Sequence, residues 1–300
     1  MKIGRVATGA ALLPLGLMLT ACGGGAVDST PTPTPTPTPV AYDTVEQTLA
    51  KRGDKSFVTG GTKWHGVYGV SETGYQAMPL GSDLTIEYVA SLDAYRVTEK
   101  GGAGYVLPLS LEQYGGPHEV VYYSPGPDDE VLLRVIVPTL NKVPLSYTRF
   151  ASFGHHDLST HDYETYVVAW GVPTQAGDMP KAGTATYTLQ LGGTVSKDGM
   201  VYPVSDSPAT FYANFGNGTV ATTLTLSDEV DDAVTVLGTL NGTGSIASSG
   251  FSGTLTGGDG GSGVFGGGFF GPQAAEVGFT WWYDGSVLQR AQGEAAGVKH

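Results

Sequence analysis

The segment GSGVFGGGFFGPQAAEVGFTWWYDG, residues 261–285, combines many glycines with large aromatic residues and carries almost no charge. Loops rarely hold so many large apolar side chains, and glycine is normally depleted in strands. Strands that curve tightly in a small barrel use glycine at sharp bends, and aromatic side chains fill the space over neighbouring glycines. The segment therefore predicts the curved wall of a closed β-sheet.

The rest of the C-terminal half has the pattern of strands joined by short turns. Asn-Gly or Asp-Gly pairs, which are typical of tight hairpins, occur at residues 198–199, 217–218, 241–242 and 284–285. About eight strand-like segments follow residue 183, and eight strands close a barrel whose interior side chains can fill. We therefore predict an eight-stranded antiparallel barrel over residues 179–300.

The preceding part of the chain also predicts β-structure. Segments such as DLTIEYVA, EVLLRVIV and YETYVVAW carry β-branched and aromatic residues between Gly, Pro and Asp. One short helix is expected near residues 43–53, where Thr44 and Gln47 have capping-box spacing. A shift in composition at residues 171–183 separates the two halves. The prediction is an all-β fold with a β-rich domain at 41–178 followed by the barrel.

The N-terminus has the features of an export signal. Lys2 and Arg5 precede an apolar run over residues 6–20, which is shorter than the about 20 residues of a membrane-spanning helix. The run ends in LTAC and resembles a bacterial lipoprotein signal, so residues 1–21 are expected to be removed and Cys22 to carry lipid. The alternative is an ordinary secretory signal with an incidental cysteine. Residues 22–40 then form a lipidated, Pro/Thr-rich extended linker.

The charge balance narrows the class of partner. Without the signal, 13 basic residues face 28 acidic ones, a net charge of −15. Such a chain is unsuited to nucleic acid, whose affinity comes from cationic contacts to phosphate, and to lying on anionic lipid. Cys22 is the only cysteine. We therefore expect a mature monomer without an internal disulfide.

The sequence offers no catalytic motif. Residues 261–266 match G-x-G-x-x-G literally, but a dinucleotide site needs a helix to follow, and here a glycine-rich strand is expected. P-loop, EF-hand, G-x-S-x-G and H-E-x-x-H patterns do not occur. We therefore expect a binding protein and not an enzyme, with a hydrolase as the last alternative.

A histidine-rich stretch, FGHHDLSTHDYET at residues 153–165, is one candidate site. Imidazoles and carboxylates at this density suit zinc or another metal, and His with Tyr can ligate haem iron. Neighbouring histidines face opposite sides of a strand, so joint ligation requires a loop, which the turn-like HDLSTHD allows. The alternative is a solvated hairpin tip whose histidines titrate near neutral pH. The candidate ligands are His155, His156, His161 and Tyr163.

A second candidate surface is aromatic and would contact a partner. Tyr and Trp are frequent anchors of interfaces, but they are equally common on half-buried strands. The candidate residues are Trp64, His65, Tyr122 and Tyr123.

Three stretches resemble the transferrin-binding protein B family. GVFGGGFFGPQAAEVGF, residues 263–279, resembles its C-terminal signature, and MPKAGTATYTLQLGG with ATFYANFGNGTV resembles the start of its barrel. LSYTRFASFG and YVVAWGVPT resemble the end of the preceding handle domain. The resemblance implies lobes made of a handle domain and an eight-stranded barrel. It also implies that Glu276 satisfies backbone donors near the Gly271-Pro272 turn.

The resemblance also implies a function. Members are surface lipoproteins that bind host iron carriers, complement regulators or haem. This chain has room for one lobe, whereas transferrin receptors have two, and one glycine follows Val277 where the signature usually has a pair. We expect an outer-membrane-anchored, surface-exposed lipoprotein that captures an iron source or nutrient carrier and passes it to an outer-membrane transporter. The alternatives are direct binding of haem or a divalent metal, and a surface protein for shielding or adhesion.

Overall fold

The computed structural model describes residues 40–67, 72–102, 104–205, 207–230 and 233–300. The predicted signal, Cys22 and nearly all of the linker lie outside these ranges. Residues 40–300 form one compact unit, and its regular structure is almost entirely β-strand. The predicted all-β class is confirmed.

One α-helix, α1 (Val45–Ala50), precedes the strands within the described residues. The predicted capping box is present, because Gln47 N donates to Thr44 Oγ1 at 3.2 Å and Thr44 N donates to Gln47 Oε1 at 2.9 Å. Val45 is buried in the core of the following sheet. The cap and this contact hold the chain at its entry into the sheet.

The N-terminal strands form one ten-stranded antiparallel sheet and a separate two-stranded ladder. The strands are β1 (Lys55–Val67), β2 (Glu72–Met78), β3 (Leu84–Val89), β4 (Ala94–Glu99), β5 (Gly104–Pro108), β6 (Glu112–Gly115), β7 (Glu119–Pro125), β8 (Asp129–Ile136), β9 (Thr139–Leu140), β10 (Val143–Pro144), β11 (Thr148–Asp157) and β12 (Asp162–Gly171). The large sheet has the order β5-β4-β3-β1-β12-β11-β8-β7-β6, and β2 pairs with β1 beside this path. β9 and β10 form the ladder.

This sheet curls until its two ends meet over one apolar core. The rings of Tyr95 on β4 and Tyr122 on β7 lie 5.6 Å apart, although these strands belong to opposite ends of the strand order. Tyr105 on β5 likewise lies 5.5 Å from Phe153 on β11. The N-terminal sheet is therefore a nearly closed barrel with a buried inner face.

The C-terminal strands form the predicted closed barrel. The strands are β13 (Thr184–Lys197), β14 (Met200–Ser205), β15 (Ala209–Asn214), β16 (Thr219–Val230), β17 (Ala233–Ala247), β18 (Gly250–Gly257), β19 (Ser262–Phe270), β20 (Glu276–Asp284) and β21 (Arg290–Lys299). β13 pairs with β15 and, along its other edge, with β21, which closes eight antiparallel strands. β14 adds a ninth strand that continues past β15 along β13.

One predicted turn is wrong. Asn241-Gly242 lies inside β17, while the chain reverses at residues 248–249, where Ser248 has φ +58°. A Cβ at Gly242 would lie 2.6 Å from Thr222 Cγ2 and 3.0 Å from the Phe265 ring. This glycine therefore makes room for an aromatic side chain inside the barrel.

The glycine and aromatic residues of β19 and β20 pack against two parts of the molecule, the barrel core and the N-terminal sheet. Phe265, Phe269 and Phe279 lie in the barrel core, as the sequence predicts. Gly266, in contrast, faces the N-terminal sheet, where an added Cβ would lie 2.5 Å from the carbonyl oxygen of Gly61. The second role of the glycines is therefore to let the backbones of the two sheets approach closely.

Polar contacts join the sheets at this junction. Thr280 Oγ1 donates to the carbonyl of Val167 at 2.7 Å and lies 3.0 Å from Thr62 Oγ1. Glu276 accepts from the backbone N–H groups of Ser146 at 2.8 Å and Tyr147 at 3.0 Å. Burial raises the pKa of Glu276 in spite of these donors. The expected role of Glu276 in satisfying backbone donors is confirmed.

Candidate functional site

The β7–β8 and β11–β12 hairpins end side by side at one end of the N-terminal sheet. Asp157 is opposite Asp129 in the β8–β11 ladder, and Leu158 N donates to the carbonyl of Asp128 at 2.9 Å. A pocket of about 520 Å³ opens on the sheet next to these tips. The pairing of two hairpins thus builds a surface that neither forms alone.

The pocket lies on the outer face of the sheet. Val131, Leu133, Phe153 and Tyr166 belong to the inner core, and alternate residues of a strand face opposite sides. The intervening residues therefore face outward and line what we call the outer pocket. They are Tyr123, Glu130, Leu132, Gly154, His156, Tyr163 and Thr165. Val131, His155 and Glu164 complete the lining, although the alternation places their side chains towards the inner face.

Gly154 forms the floor of the outer pocket. It lies between Leu132 on β8 and Thr165 on β12 in the ladder, and no atom lies within 4 Å of the position a Cβ would take. A glycine inside a strand often marks the close approach of another group. Here its missing side chain leaves a hollow over flat backbone, while Leu132 beside it is 39% exposed.

Two aromatic side chains and a carboxylate stand around this hollow. The Tyr163 ring covers Gly66, where an added Cβ would come within 2.5 Å of the ring. The Tyr123 hydroxyl donates to Glu130 Oε1 at 2.7 Å, and this bond raises the pKa of Tyr123. His156 Nδ1 lies 3.6 Å from Glu130 Oε2. Glu130 is therefore held at the pocket between a phenol and an imidazole.

The electrostatic environment of the pocket is acidic. Residues 120–133 and 150–166 contain six carboxylates and neither lysine nor arginine. The hydroxyl of Ser159 and the backbone N–H groups of Ser159 and Thr160 lower the pKa of Asp157 to about 2. The two hairpins therefore present a negative potential at neutral pH, which favours cations in a confined cleft.

The predicted histidine cluster does not converge on one point. His155 and His156 lie on β11 and not in a loop, so they face opposite sides of the sheet. The His155 ring lies 4.7 Å from Tyr105 of the inner face, whereas the His156 ring lies 6.3 Å from that of His161. Joint ligation by all three imidazoles stays a prediction that this geometry does not favour. Across the described ranges, no group of three or more His, Cys, Asp or Glu is placed to hold a metal ion.

Two of the predicted partner contacts, Trp64 and Tyr122, have buried side chains. Trp64 is 8% exposed and stacks on Tyr75, which in turn stacks on Trp282 of the barrel with ring centroids 3.4 Å apart. Tyr122 is 5% exposed, and burial raises its pKa to about 12. These aromatic residues stabilise the sheet junction and the inner core.

The other two contact candidates remain accessible. The side chain of His65 is 45% exposed and lies 3.7 Å from Asp162, while Tyr123 lines the outer pocket. Three residues of the pocket are not predicted as site residues from the sequence: Glu130, Leu132 and Gly154. Gly154 lies inside a strand, between Phe153 and His155, and this position is the sequence feature from which the pocket could have been predicted.

A helix that could cross a bilayer is absent from the part of the chain that the structure describes.

Comparisons with known proteins relate the barrel to one family. Residues 179–298 match the sequence profile described as the C-lobe and N-lobe beta barrels of Tf-binding protein B. A mutant of transferrin-binding protein B from Haemophilus parasuis is similar at 16% identity and a TM-score of 0.46, with 83% of this chain and 46% of that chain covered. The same protein from Neisseria meningitidis is similar at 14% identity and a TM-score of 0.43, with coverages of 81% and 44%.

Another similar structure is HpuA from Kingella denitrificans, which was solved in complex with human haemoglobin. It has 14% identity and a TM-score of 0.40, with 84% of this chain and 88% of that chain covered. This chain spans less than half of the length of the two transferrin-binding proteins. No curated protein sequence matches it. Residues 179–298 form a β-barrel of the transferrin-binding protein B family, and the described chain joins this barrel to one N-terminal sheet as a single lobe.

Proposed function

We propose that the protein is a non-catalytic, outer-membrane-anchored surface lipoprotein that captures an extracellular protein ligand as an iron or nutrient source. The observation that carries this proposal is the outer pocket, where Tyr123, Leu132 and Tyr163 surround a hollow at Gly154. Aromatic side chains around a concave site are typical anchors for a protein partner. The barrel family, whose description names transferrin binding, supports an iron carrier.

The location of the pocket supports capture from outside the lobe. It lies at the hairpin tips of the N-terminal sheet, whereas the other end of the same face is covered by β19 and β20 through Thr62, Val167 and Thr280. A ligand can therefore reach the pocket without separating the two sheets. Delivery of the captured carrier to an outer-membrane transporter completes the proposed function.

Filling the pocket tests this function. Gly154→Leu places a side chain in open space and is therefore expected to leave folding intact. Transferrin, lactoferrin and haemoglobin would each be titrated against immobilised parent and variant protein by surface plasmon resonance. We expect the parent to bind at least one carrier and Gly154→Leu to weaken that binding by about tenfold or more, the loss of a contact worth over 1.4 kcal/mol.

Gly177→Leu is the matched control, because a Cβ at Gly177 also meets no atom within 4 Å and this glycine lies outside the pocket. It should bind as the parent does. Equal binding by parent and Gly154→Leu would exclude the pocket as the contact, and absence of binding to all three carriers would reject an iron-carrier function.

Direct haem or metal binding is the second candidate function. It is favoured by one observation, the presence of His156 and Tyr163 at one pocket with the His161 ring 6.3 Å from that of His156. Imidazole and phenolate are both ligands of haem iron. Adding haem or zinc to His156→Ala/His161→Ala protein should then give no Soret shift or bound metal, while His118→Ala, outside the pocket, behaves as the parent. A parent that binds neither ligand rejects this candidate.

A further inference from the structure

The outer pocket has the chemistry of a binding site for one type of side chain. We infer that it binds an arginine carried on an exposed, basic segment of the captured protein. The inference rests on the proposed function, because it specifies the chemistry by which the same pocket recognises its ligand.

Charge is the first argument for a cationic occupant. The parts of the two hairpins nearest the pocket, residues 120–133 and 150–166, carry six carboxylates and no lysine or arginine. The next cation along β8, Arg134, already donates to both carboxylate oxygens of Glu119, at 2.6 and 3.2 Å. Among the described residues, the ion pairs include none between Glu130 and a lysine or arginine, and the field attracts a basic segment.

The arrangement of the lining favours a planar cation over a spherical one. A guanidinium group stacks on aromatic faces and forms paired hydrogen bonds with a carboxylate, whereas an ammonium group is a compact, strongly hydrated charge. The pocket combines the rings of Tyr123 and Tyr163, the carboxylate of Glu130 and a floor of bare backbone at Gly154. Its volume of about 520 Å³ admits a whole arginine side chain with the segment that carries it.

The same features count against an anionic occupant. An acidic peptide, or a haem whose two propionates enter first, would bring carboxylates next to Glu130, and the pocket lining contains neither lysine nor arginine. Like charges brought together at an interface cost free energy. A basic protein segment is therefore the occupant that the charges and shape of the outer pocket favour.

Two short peptides provide the probe. One is Gly-Ser-Gly-Arg-Gly-Ser-Gly, and the other has citrulline, the uncharged analogue of similar shape, in place of arginine. Each would be titrated into isotopically labelled protein while the backbone amide resonances of Gly154 and Thr165 are followed by NMR. We expect the arginine peptide to shift both resonances saturably and the citrulline peptide to bind about tenfold more weakly, since it loses the cation–π contact and the ion pair.

Variants then test whether the arginine peptide binds at the outer pocket. Glu130→Gln should weaken the arginine peptide about fivefold, and Gly154→Leu should abolish its binding. Glu112→Gln, which removes an exposed carboxylate on β6 outside the pocket, should have no effect. The inference is overturned if the arginine peptide leaves the two resonances unchanged, if citrulline binds equally well, or if Glu130→Gln binds as the parent does.

The result of the peptide titration can be distinguished from the result of the carrier-binding experiment. Carrier binding that is lost in Gly154→Leu but retained in Glu130→Gln supports the proposed function and rejects arginine recognition. Peptide binding at the pocket without binding of any of the three carriers rejects those carriers and retains the inference.

Discussion

Single glycines in this protein differ in what their missing side chain provides. Gly154 leaves a hollow at the surface, whereas Gly267 lies in the barrel wall, where an added Cβ would come within 2.5 Å of Phe279 Cβ. Both occupy the middle of a strand. The same residue type therefore opens a binding surface in one strand and permits dense packing in another.

Substitution of these two glycines should separate the two roles. Gly267→Val forces the neighbouring backbone and Phe279 to move, so it should lower the free energy of unfolding by about 1–3 kcal/mol. Gly154→Val is the control and should change stability little, because its side chain enters open space. Urea denaturation followed by circular dichroism measures both. A neutral Gly267→Val would mean that the barrel wall at β19 is not closely packed.

Glu99 gives a prediction for the pH dependence of stability. Burial, and secondarily the charge of Glu164, raise the pKa of Glu99, and its Oε1 is buried with no hydrogen-bond partner among the described residues. A raised folded-state pKa means that stability is present below the unfolded pKa and is lost as the pH rises through the folded pKa.

Glu99→Gln should remove this loss of stability at higher pH. At neutral pH the variant should be more stable than the parent by less than about 1 kcal/mol, because Glu99 is only partly buried. The difference should disappear below about pH 4, where Glu99 is protonated in both states. Thermal unfolding over a pH series measures it. A parent-to-variant difference that is constant with pH would show that ionisation of Glu99 is not the cause.

At the scale of elements, strand contacts across the two sheets hold the lobe together. β20 meets β12 through the Thr280 hydroxyl and meets β11 at Gly278, where an added Cβ would lie 2.5 Å from Thr148 Cγ2. Tyr75 of β2 stacks on Trp282 of β20. These contacts cover one part of the outer face of the N-terminal sheet and leave its hairpin end, with the outer pocket, uncovered.

Thr280→Val tests this junction. Valine keeps the shape of the side chain but leaves the carbonyl of Val167 without its donor and Thr62 without its partner. Leaving buried polar groups unsatisfied should cost about 1–3 kcal/mol of unfolding free energy. Thr280→Ser retains the hydroxyl and should lose clearly less. If both variants unfold at the same urea concentration as the parent, the hydroxyl contacts do not stabilise the junction.

At the scale of the whole molecule, the proposed function requires attachment to the cell surface. Cys22 lies outside the described residues, so this attachment is a prediction from the lipoprotein signal alone. Cys22→Ala should move the protein from the membrane fraction to the soluble fraction and abolish labelling by palmitate, because the acidic chain and polar linker offer no other attachment.

Density fractionation should place the parent in the outer membrane, since Gly23 lacks the acidic character that resembles an inner-membrane retention signal. A Cys22→Ala protein that still sediments with membranes would contradict lipid anchoring.

The amino-acid sequence by itself determined the all-β class, the closed eight-stranded barrel and the acidic charge, because these follow from local composition and turn residues. Hairpin positions were predictable where Asn-Gly or Asp-Gly lies between two strands, as at residues 217–218. The turn predicted at Asn241-Gly242 was wrong because Gly242 makes room for the Phe265 ring, which lies on another strand. Such a requirement is not encoded in neighbouring residues.

Only the tertiary structure decided which candidate side chains share a surface. Strand alternation places His155 and His156 on opposite faces, but the loop or strand state of both had to be known first. Trp64 stacks on Tyr75, which stacks on Trp282 more than 200 residues away in the chain. The outer pocket likewise combines side chains from β7, β8, β11 and β12. Strand order and register set these contacts, and both depend on long-range pairing that no local pattern specifies.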